Sequence, residues 1–440
     1  MICRRSVRLY FFGALTLLCL IAPAKSQVVG PGGVSAPDLW LESDDAGNIA
    51  AAWQDNSTNN NPVEAVGSWS ISPADRAHNF HPYTTGYTSS RYFRDPTSFM
   101  PASIRRESVS VFSAVRRTSA GQGRIVGVDD NALYADEPGF SMTTDGFPRF
   151  YKYSGYIDSQ NASTAMTINR SGVPYFISDD LGGTIEVGLD GQSSTRTRVG
   201  IQYTVGRSLL VGYGSWTGNT PGAFPGDVME VIWYRRALSA IERNRVNSYL
   251  ALKHGATLLA DYLDSAGTII WNFAAASGFN QNVAGIGYDQ SSGLHQKQSN
   301  SINSGDQVIV SLGASVAASN ASNAGAFAVN RSFLIWGDDA GSTSYSNATT
   351  IGGTSYNRMA RTWRLQQSGT VPQATIAYPY SGSDNVYLII GDTTNFSGAN
   401  TVVAMANMQT IEGTSTGQLQ RLSPLEPIAT LPSRRSRQIR

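Results

Sequence analysis

Phe224-Pro225-Gly226-Asp227-Val228-Met229-Glu230-Val231-Ile232-Trp233-Tyr234-Arg235-Arg236-Ala237-Leu238-Ser239 decides how this chain is read. From Asp227 to Tyr234 it is dominated by β-branched and aromatic residues, and Gly226 bounds it, so it predicts a strand. Ser239 followed three places later by Glu242 is a capping box. Ile241, Val246, Tyr249, Leu250 and Lys253 then recur at helical spacing. Lys253 and His254 place cations beside the last helical carbonyls, and Gly255 is a natural C-cap. The pattern predicts a strand over 227–234 and a helix over 240–253.

Upstream, short alternating runs recur between polar turns. Leu39–Glu42, Ser108–Val115, Arg124–Val128, Gly139–Thr143, Arg149–Tyr153, Tyr175–Ser178, Ile201–Val205 and Ser208–Tyr213 all read as strands. Asp145-Gly146, Gly182-Gly183 and Asp190-Gly191 supply turn chemistry between them. Asp44 to Pro62 reads as a long polar loop with Trp53 inside it. Of 440 residues, 44 are glycine, 41% are apolar and only 15% are charged. That is enough apolar material for a core and too little charge for helical bundles. The spacing predicts an all-β sandwich or jelly roll carrying one helix at its end.

The 224–239 stretch with Glu242 resembles the final strand and exit of a laminin-G/concanavalin-A-like jelly roll. Leu39-Trp40-Leu41 and Trp53-Gln54-Asp55 are similar to the opening of such domains in secreted bacterial proteins. The resemblance implies a jelly roll over 35–256 in which the first and last strands are neighbours. Residues 262–425 also look all-β. Their landmarks are Asn282-Val283-Ala284-Gly285-Ile286-Gly287, Val308–Leu312, Ser332–Asp339, Arg358–Trp363 and Val386–Ile390. They resemble an uncharacterised domain that follows such jelly rolls in bacterial surface proteins, and predict a second β-sandwich-like unit. Pro424, Pro427 and Pro432 then suggest a disordered basic tail over 426–440.

Residues 1–26 read as a signal peptide. Arg4, Arg5 and Arg8 precede an apolar stretch, Leu9 to Ile21, too short for a membrane span. Ala22-Pro23-Ala24 and Ala24-Lys25-Ser26 offer cleavage after Ala24 or Ser26. Removing this segment, with its four cations and no acid, takes the formal charge from +1 to −3. No basic footprint for nucleic acid remains. Both cysteines, Cys3 and Cys19, leave with it, so packing must hold the mature chain without disulfides.

Several constellations suggest chemistry. Retaining hydrolases of the jelly-roll class can carry Glu-x-Asp-x-x-Glu on one strand. Here Asp227 and Glu230 match the last two places, but Pro225 replaces the nucleophile, so Glu230 is expected to order its neighbours. Asp44-Asp45, Asp129-Asp130, Asp179-Asp180 and Asp338-Asp339 are loop acids of the kind that can hold calcium, and also of the kind that merely form turns. His78 and His81 lack an evident third zinc ligand. His254 is expected to be a helix-end cation. Gly413-Thr414-Ser415-Thr416-Gly417 matches a nucleophile elbow, but no histidine follows it. Trp40, Trp233, Trp336 and Trp363 lie in strand patterns and belong to the core.

Trp216 and Asn219 sit in a loop between strands. A tryptophan face there suits a sugar ring, with asparagine taking hydroxyls. The expectation is therefore a secreted or surface-associated binding or adhesion protein without catalytic machinery. Its ligand class would be glycan, or a cell-surface or matrix component. Two alternatives stay open: a carbohydrate-active hydrolase with an unrecognised site, and a structural surface or matrix component.

Overall fold

The computed structural model describes residues 29–45, 49–95, 99, 106–129, 139–153, 157–197, 201–202, 208–214, 222–303, 308–380, 384–391, 396, 400–410, 419–425 and 436–439. The side chains of 106–107, 129, 151–153, 157–159, 201–202 and everything from 406 onward are not part of that description. The signal-peptide segment lies outside the described residues.

The described residues form an all-β structure with one α-helix among them. The first sandwich has a sheet in the order Leu39–Glu42, Gly226–Tyr234, Val109–Arg117, Pro174–Asp179, Thr184–Leu189, Gln192–Thr197. Its partner sheet includes Pro148–Tyr153, Gly139–Met142, Gly123–Asp129 and Ser208–Val211 side by side. The expected adjacency of first and last strands is present: Leu39–Glu42 runs antiparallel to Gly226–Tyr234, with Trp40 opposite Ile232. Between the sheets lie Val111, Phe176, Val231 and Trp233 from one side and Val126, Phe140, Phe150 and Leu209 from the other. Trp53, read as part of a polar loop, is wholly buried here and sits on a short strand, Ala52–Trp53. The Asp190-Gly191 turn joins the hairpin Thr184–Leu189/Gln192–Thr197, whose second strand is polar and exposed along its length and so escaped the alternation test.

The second sandwich pairs a sheet through Gln281–Asp289, Ser332–Asp338 and Trp363–Ser368 with one through Ile309–Leu312, Ala374–Pro379 and Leu419–Leu425. Ile286, Leu334, Trp336 and Leu365 face Val310, Ala374 and Ile376 in its core. The expected disordered tail needs correcting at one point. Ser436–Ile439 is a strand, antiparallel to both Trp363–Ser368 and Tyr387–Gly391. Its backbone fills a gap that would leave two sheet edges unpaired, and backbone pairing does not need an apolar side-chain pattern. Residues 426–435 and 440 lie outside the described residues.

The helix spans Ala240–His254, and its capping box is formed in both directions between Ser239 and Glu242. Arg236 reinforces it by bonding Glu242 at 2.8 Å. Gly255 ends the helix at φ 69°, and a Cβ there would meet the Asn300 carbonyl at 2.4 Å. Glycine therefore serves both the left-handed cap and the close approach of the second sandwich. The helix is a wedge. Val246, Tyr249 and Leu250 share one apolar cluster with Trp40, Phe112 and Ile232 of the first sandwich and Trp271, Val283, Phe333 and Ile335 of the second.

Ser239→Ala should lower stability by about 0.5–2 kcal/mol, because an N-terminal helical N–H loses its acceptor. Trp233→Ala should cost about 3–5 kcal/mol, because a wholly buried indole leaves a cavity. Urea titration of both variants checks the pair; equal losses would mean that the cap carries more than its hydrogen bonds.

Candidate functional site

Of the acids that the sequence singled out on the 226–234 strand, Glu230 is taken up by the junction between the sandwiches. A bulge between Val228 and Glu230 shifts the strand's register against Val109–Arg117. Glu230 is fully buried. Its Oε1 accepts from Trp40 Nε1 at 2.7 Å, and its Oε2 from His254 Nε2 at 2.9 Å. Lys253, on the last helical turn, places Nζ 2.9 Å from Glu230, 2.5 Å from Glu42 and 3.3 Å from Asp44. His81 bridges Asp44 and Gln296, at 2.8 Å each, and so joins the cluster to the second sandwich.

Asn79 adds another tie. Its amide nitrogen donates to the Lys253 carbonyl at 2.9 Å, and its oxygen accepts from the Asn300 backbone at 2.8 Å.

Burial opposes charge throughout this cluster, and the partners decide which charges survive. For Lys253 burial is outweighed by Glu230 and Glu42, so the ammonium is held well above its ordinary range. For Glu230 burial is outweighed by Lys253 and His254, which hold the carboxylate below its ordinary range. Glu42 goes the other way: burial, aided by Glu230, pushes it up despite Lys253. Burial pushes the His254 ring down to about 4, so it is neutral at pH 7. This corrects its reading as a helix-end cation; Lys253 is the cation there.

Asp227 belongs to a second clamp. His78 lies between Asp75, 2.7 Å from Nδ1, and Asp227, 3.0 Å from Nε2. Its ring stacks on Tyr83 with centroids 3.5 Å apart. Burial would lower the His78 pKa, but the bonds to Asp227 and Asp75 raise it. Glu230, Asp227 and His78 are all buried and partnered, so they order their neighbours and are not themselves open to a substrate.

An open space exists elsewhere. A cavity of about 480 Å³ lies at one end of the second sandwich, within the range of small-molecule sites. Its floor is apolar: Val308, Met359, Trp363, Ile376, Leu388 and Met405, all buried. Its mouth is polar and aromatic, with Ser355, Asn357, Arg358, Asp384 and Asn385 beside Tyr345, Tyr356, Tyr380 and Tyr387. The hairpin Asn347–Ile351/Thr354–Arg358 forms one wall, turning at Gly352-Gly353. Two edge-to-face tyrosine contacts attach that wall: Tyr356 to Tyr387 at 5.4 Å and Tyr345 to Tyr380 at 6.1 Å. Tyr345 and Tyr387 remain about 40% exposed.

Sequence reasoning did not find this cavity. The available signal was density: five of the chain's 20 tyrosines fall between 345 and 387.

Trp216 and Asn219 lie outside the described residues, as do residues 413–417. The Asp129 side chain and Asp130 lie outside the described residues, and four of the other loop acids have other work. Asp44 is paired with His81 and Lys253. Asp179 accepts from the Leu181 and Gly182 backbone, Asp338 from Asn282 and Ala340, and Asp339 from Gly341 and Thr362. Among the described residues no group of three or more His, Cys, Asp or Glu side chains is arranged to hold a metal ion. No helix among them is long and apolar enough to cross a membrane.

Residues 242–421 match the model of a domain of unknown function, DUF8202. The match begins in the helical wedge and ends in the second sandwich. No curated protein matches the chain. Among solved structures, the CBM40 of Ruminococcus gnavus IT-sialidase bound to α2,3 sialyllactose is similar at 14% identity, covering 31% of this chain and 80% of that one, with a TM-score of 0.29. Domain 4 of AbnA, a GH43 extracellular arabinanase from Geobacillus stearothermophilus in complex with arabinotriose, is 16% identical over 49% of this chain and 98% of that one, with a TM-score of 0.37. Trypanosoma rangeli sialidase is 14% identical over 52% and 36%, with a TM-score of 0.33. These likenesses are weak in identity and overlap, and they assign no ligand to this chain.

Glu230→Gln should cost about 3–5 kcal/mol at pH 7, because Lys253 stays buried with a partner removed. Glu230 is depressed below its ordinary 4.5, so its contribution is present above that pH and is lost as pH falls through the folded value. Asp44 and Asp75 are depressed and act with the same sign. So does His254: the unfolded ring takes a proton below pH 6.5 that the folded ring refuses until about 4. Glu42 and His78 are raised, so what they contribute is lost as pH rises through their folded values. Denaturant titrations from pH 8 to pH 2.5 should show the gap between wild type and Glu230→Gln narrowing below pH 4.5. A constant gap would remove Glu230 from the charge cluster.

Proposed function

We propose that this is a secreted, non-catalytic binding protein of a bacterial surface or matrix, and that it binds glycan in the tyrosine-lined cavity of its second sandwich. The observation that carries the reading is the cavity mouth. Half-exposed tyrosine rings there stand beside an amide-rich and charged edge, the combination that suits the apolar face and the hydroxyls of a sugar. Its wall and its floor come from different strands of one packed sandwich, which supports a pre-formed site.

Two features favour binding over hydrolysis. Glu230 is sealed in the junction, and Asp227 is buried against His78 within the first sandwich. Among the described residues lining the cavity, Asp384 is the sole carboxylic acid, whereas glycoside hydrolysis ordinarily uses two. We read the first sandwich as a laminin-G/concanavalin-A-like jelly roll, a reading that its 224–239 exit and its paired first and last strands support.

A glycan array with the full mature chain should give saccharide binding, and Tyr387→Ala should weaken it about five- to hundredfold. The range is that of losing one stacked ring in nucleic-acid sites, ~1–3 kcal/mol. The melting temperature should fall only modestly, since Tyr387 is about 40% exposed and gives up one ring contact, with Tyr356. Reducing-sugar release from polysaccharides should be nil. Release would favour the hydrolase reading, and an empty array would favour a structural surface component.

A further inference from the structure

The floor of the cavity is unlike its mouth, and that contrast defines the ligand further. Val308, Ile376 and Leu388 offer no hydrogen-bonding side-chain atom, and Met359 and Met405 add adaptable apolar surface. Apart from the buried Tyr378 phenol and the Trp363 indole, a sugar pressed onto this floor would meet no hydrogen-bonding side chain there, which disfavours that pose. The size points the same way. At ~30 Å³ per water-sized group the cavity holds about sixteen such groups. A single hexose has about twelve heavy atoms, which their covalent bonds hold closer than separate waters, so the cavity has room beyond one ring.

We infer that the cavity takes an amphiphilic glycoside, whose sugar ring lies among the mouth tyrosines and whose alkyl or acyl chain enters the floor past Trp363. The inference rests on the glycan reading of the mouth and adds the apolar substituent. The oxygen linking sugar to chain sits at the boundary between the two zones. Polar groups stay at the wet edge, and methylene groups leave water for the apolar end.

Calorimetric titration separates the two parts of the ligand. The probes are octyl β-glucoside and octyl β-galactoside, each against its methyl glycoside, with tetraethylene glycol monooctyl ether as a chain without sugar. All are kept below their micelle-forming concentrations. Each methylene reaching the floor should tighten binding about fourfold, so four of them give about 250-fold over the methyl glycoside. At least one octyl glycoside should also bind more tightly than the sugarless chain.

In Met359→Trp, which fills the floor, the octyl-to-methyl ratio should collapse toward one; Met405→Phe replaces it if circular dichroism shows Met359→Trp unfolded. Equal binding of octyl and methyl glycosides overturns the inference and leaves the glycan reading standing. Equal binding of the octyl glycosides and the sugarless chain overturns the glycan reading as well. Absence of binding by every octyl probe overturns the inference.

Discussion

The ammonium of Lys253 is the constraint on which the two sandwiches depend. It is buried at the end of the helix, within 2.5–3.3 Å of carboxylates from the first strand, its following turn and the last strand of one sandwich. Such a charge is tolerable only while its partners are in place, because desolvation alone would forbid it. Each partner is in turn fixed by another group: Glu230 by Trp40 and His254, and Asp44 by His81. His81 then reaches Gln296, and Asn79 reaches Asn300, so the relative placement of the two sandwiches is tied to the same cluster. The apolar contacts of the helical wedge supply most of the attraction; the polar cluster supplies the single orientation.

The same contrast separates the two places where polar groups gather. At the junction every acid is met by a cation, an amide or an indole, and the space is filled. At the end of the second sandwich the tyrosines and amides border a space that is not filled. Buried partnered groups hold a structure; an open concave surface with polar groups at its rim is what a ligand can use.

Much of the architecture was legible because its signals are local. The run from Asp227 to Tyr234 and the Ser239/Glu242 box need only neighbours in sequence to be read, and both elements form as expected. Leu39–Glu42 beside Gly226–Tyr234 followed from resemblance, not from local pattern. The functions of Asp227 and Glu230 were only half legible. Their failure to match a hydrolase strand was visible, but their partners His78, Lys253 and Trp40 are brought together by the fold. His254 was misread because its position at a helix end is local while its burial is not. The cavity was invisible for the same reason: its floor comes from segments between Val308 and Met405 that read separately as ordinary strands. Ser436–Ile439 has no sequence pattern of a strand interior and is placed by backbone pairing alone.

The pairing of Leu39–Glu42 with Gly226–Tyr234 has a consequence for how the chain reaches this state. Trp40 and Glu230, which bond across that pair, are 190 positions apart, and Glu42 and Lys253 are 211 apart. Contacts of such long range form only after a large loop has been closed, so they come late and slowly. Until then the edge of Leu39–Glu42 and the carboxylate of Glu42 wait in water, where a charge costs nothing. The charge cluster is therefore assembled in the closing step and not before it. Its formation and the docking of the helix are one cooperative event, a final lock set after the rest of the first sandwich has condensed.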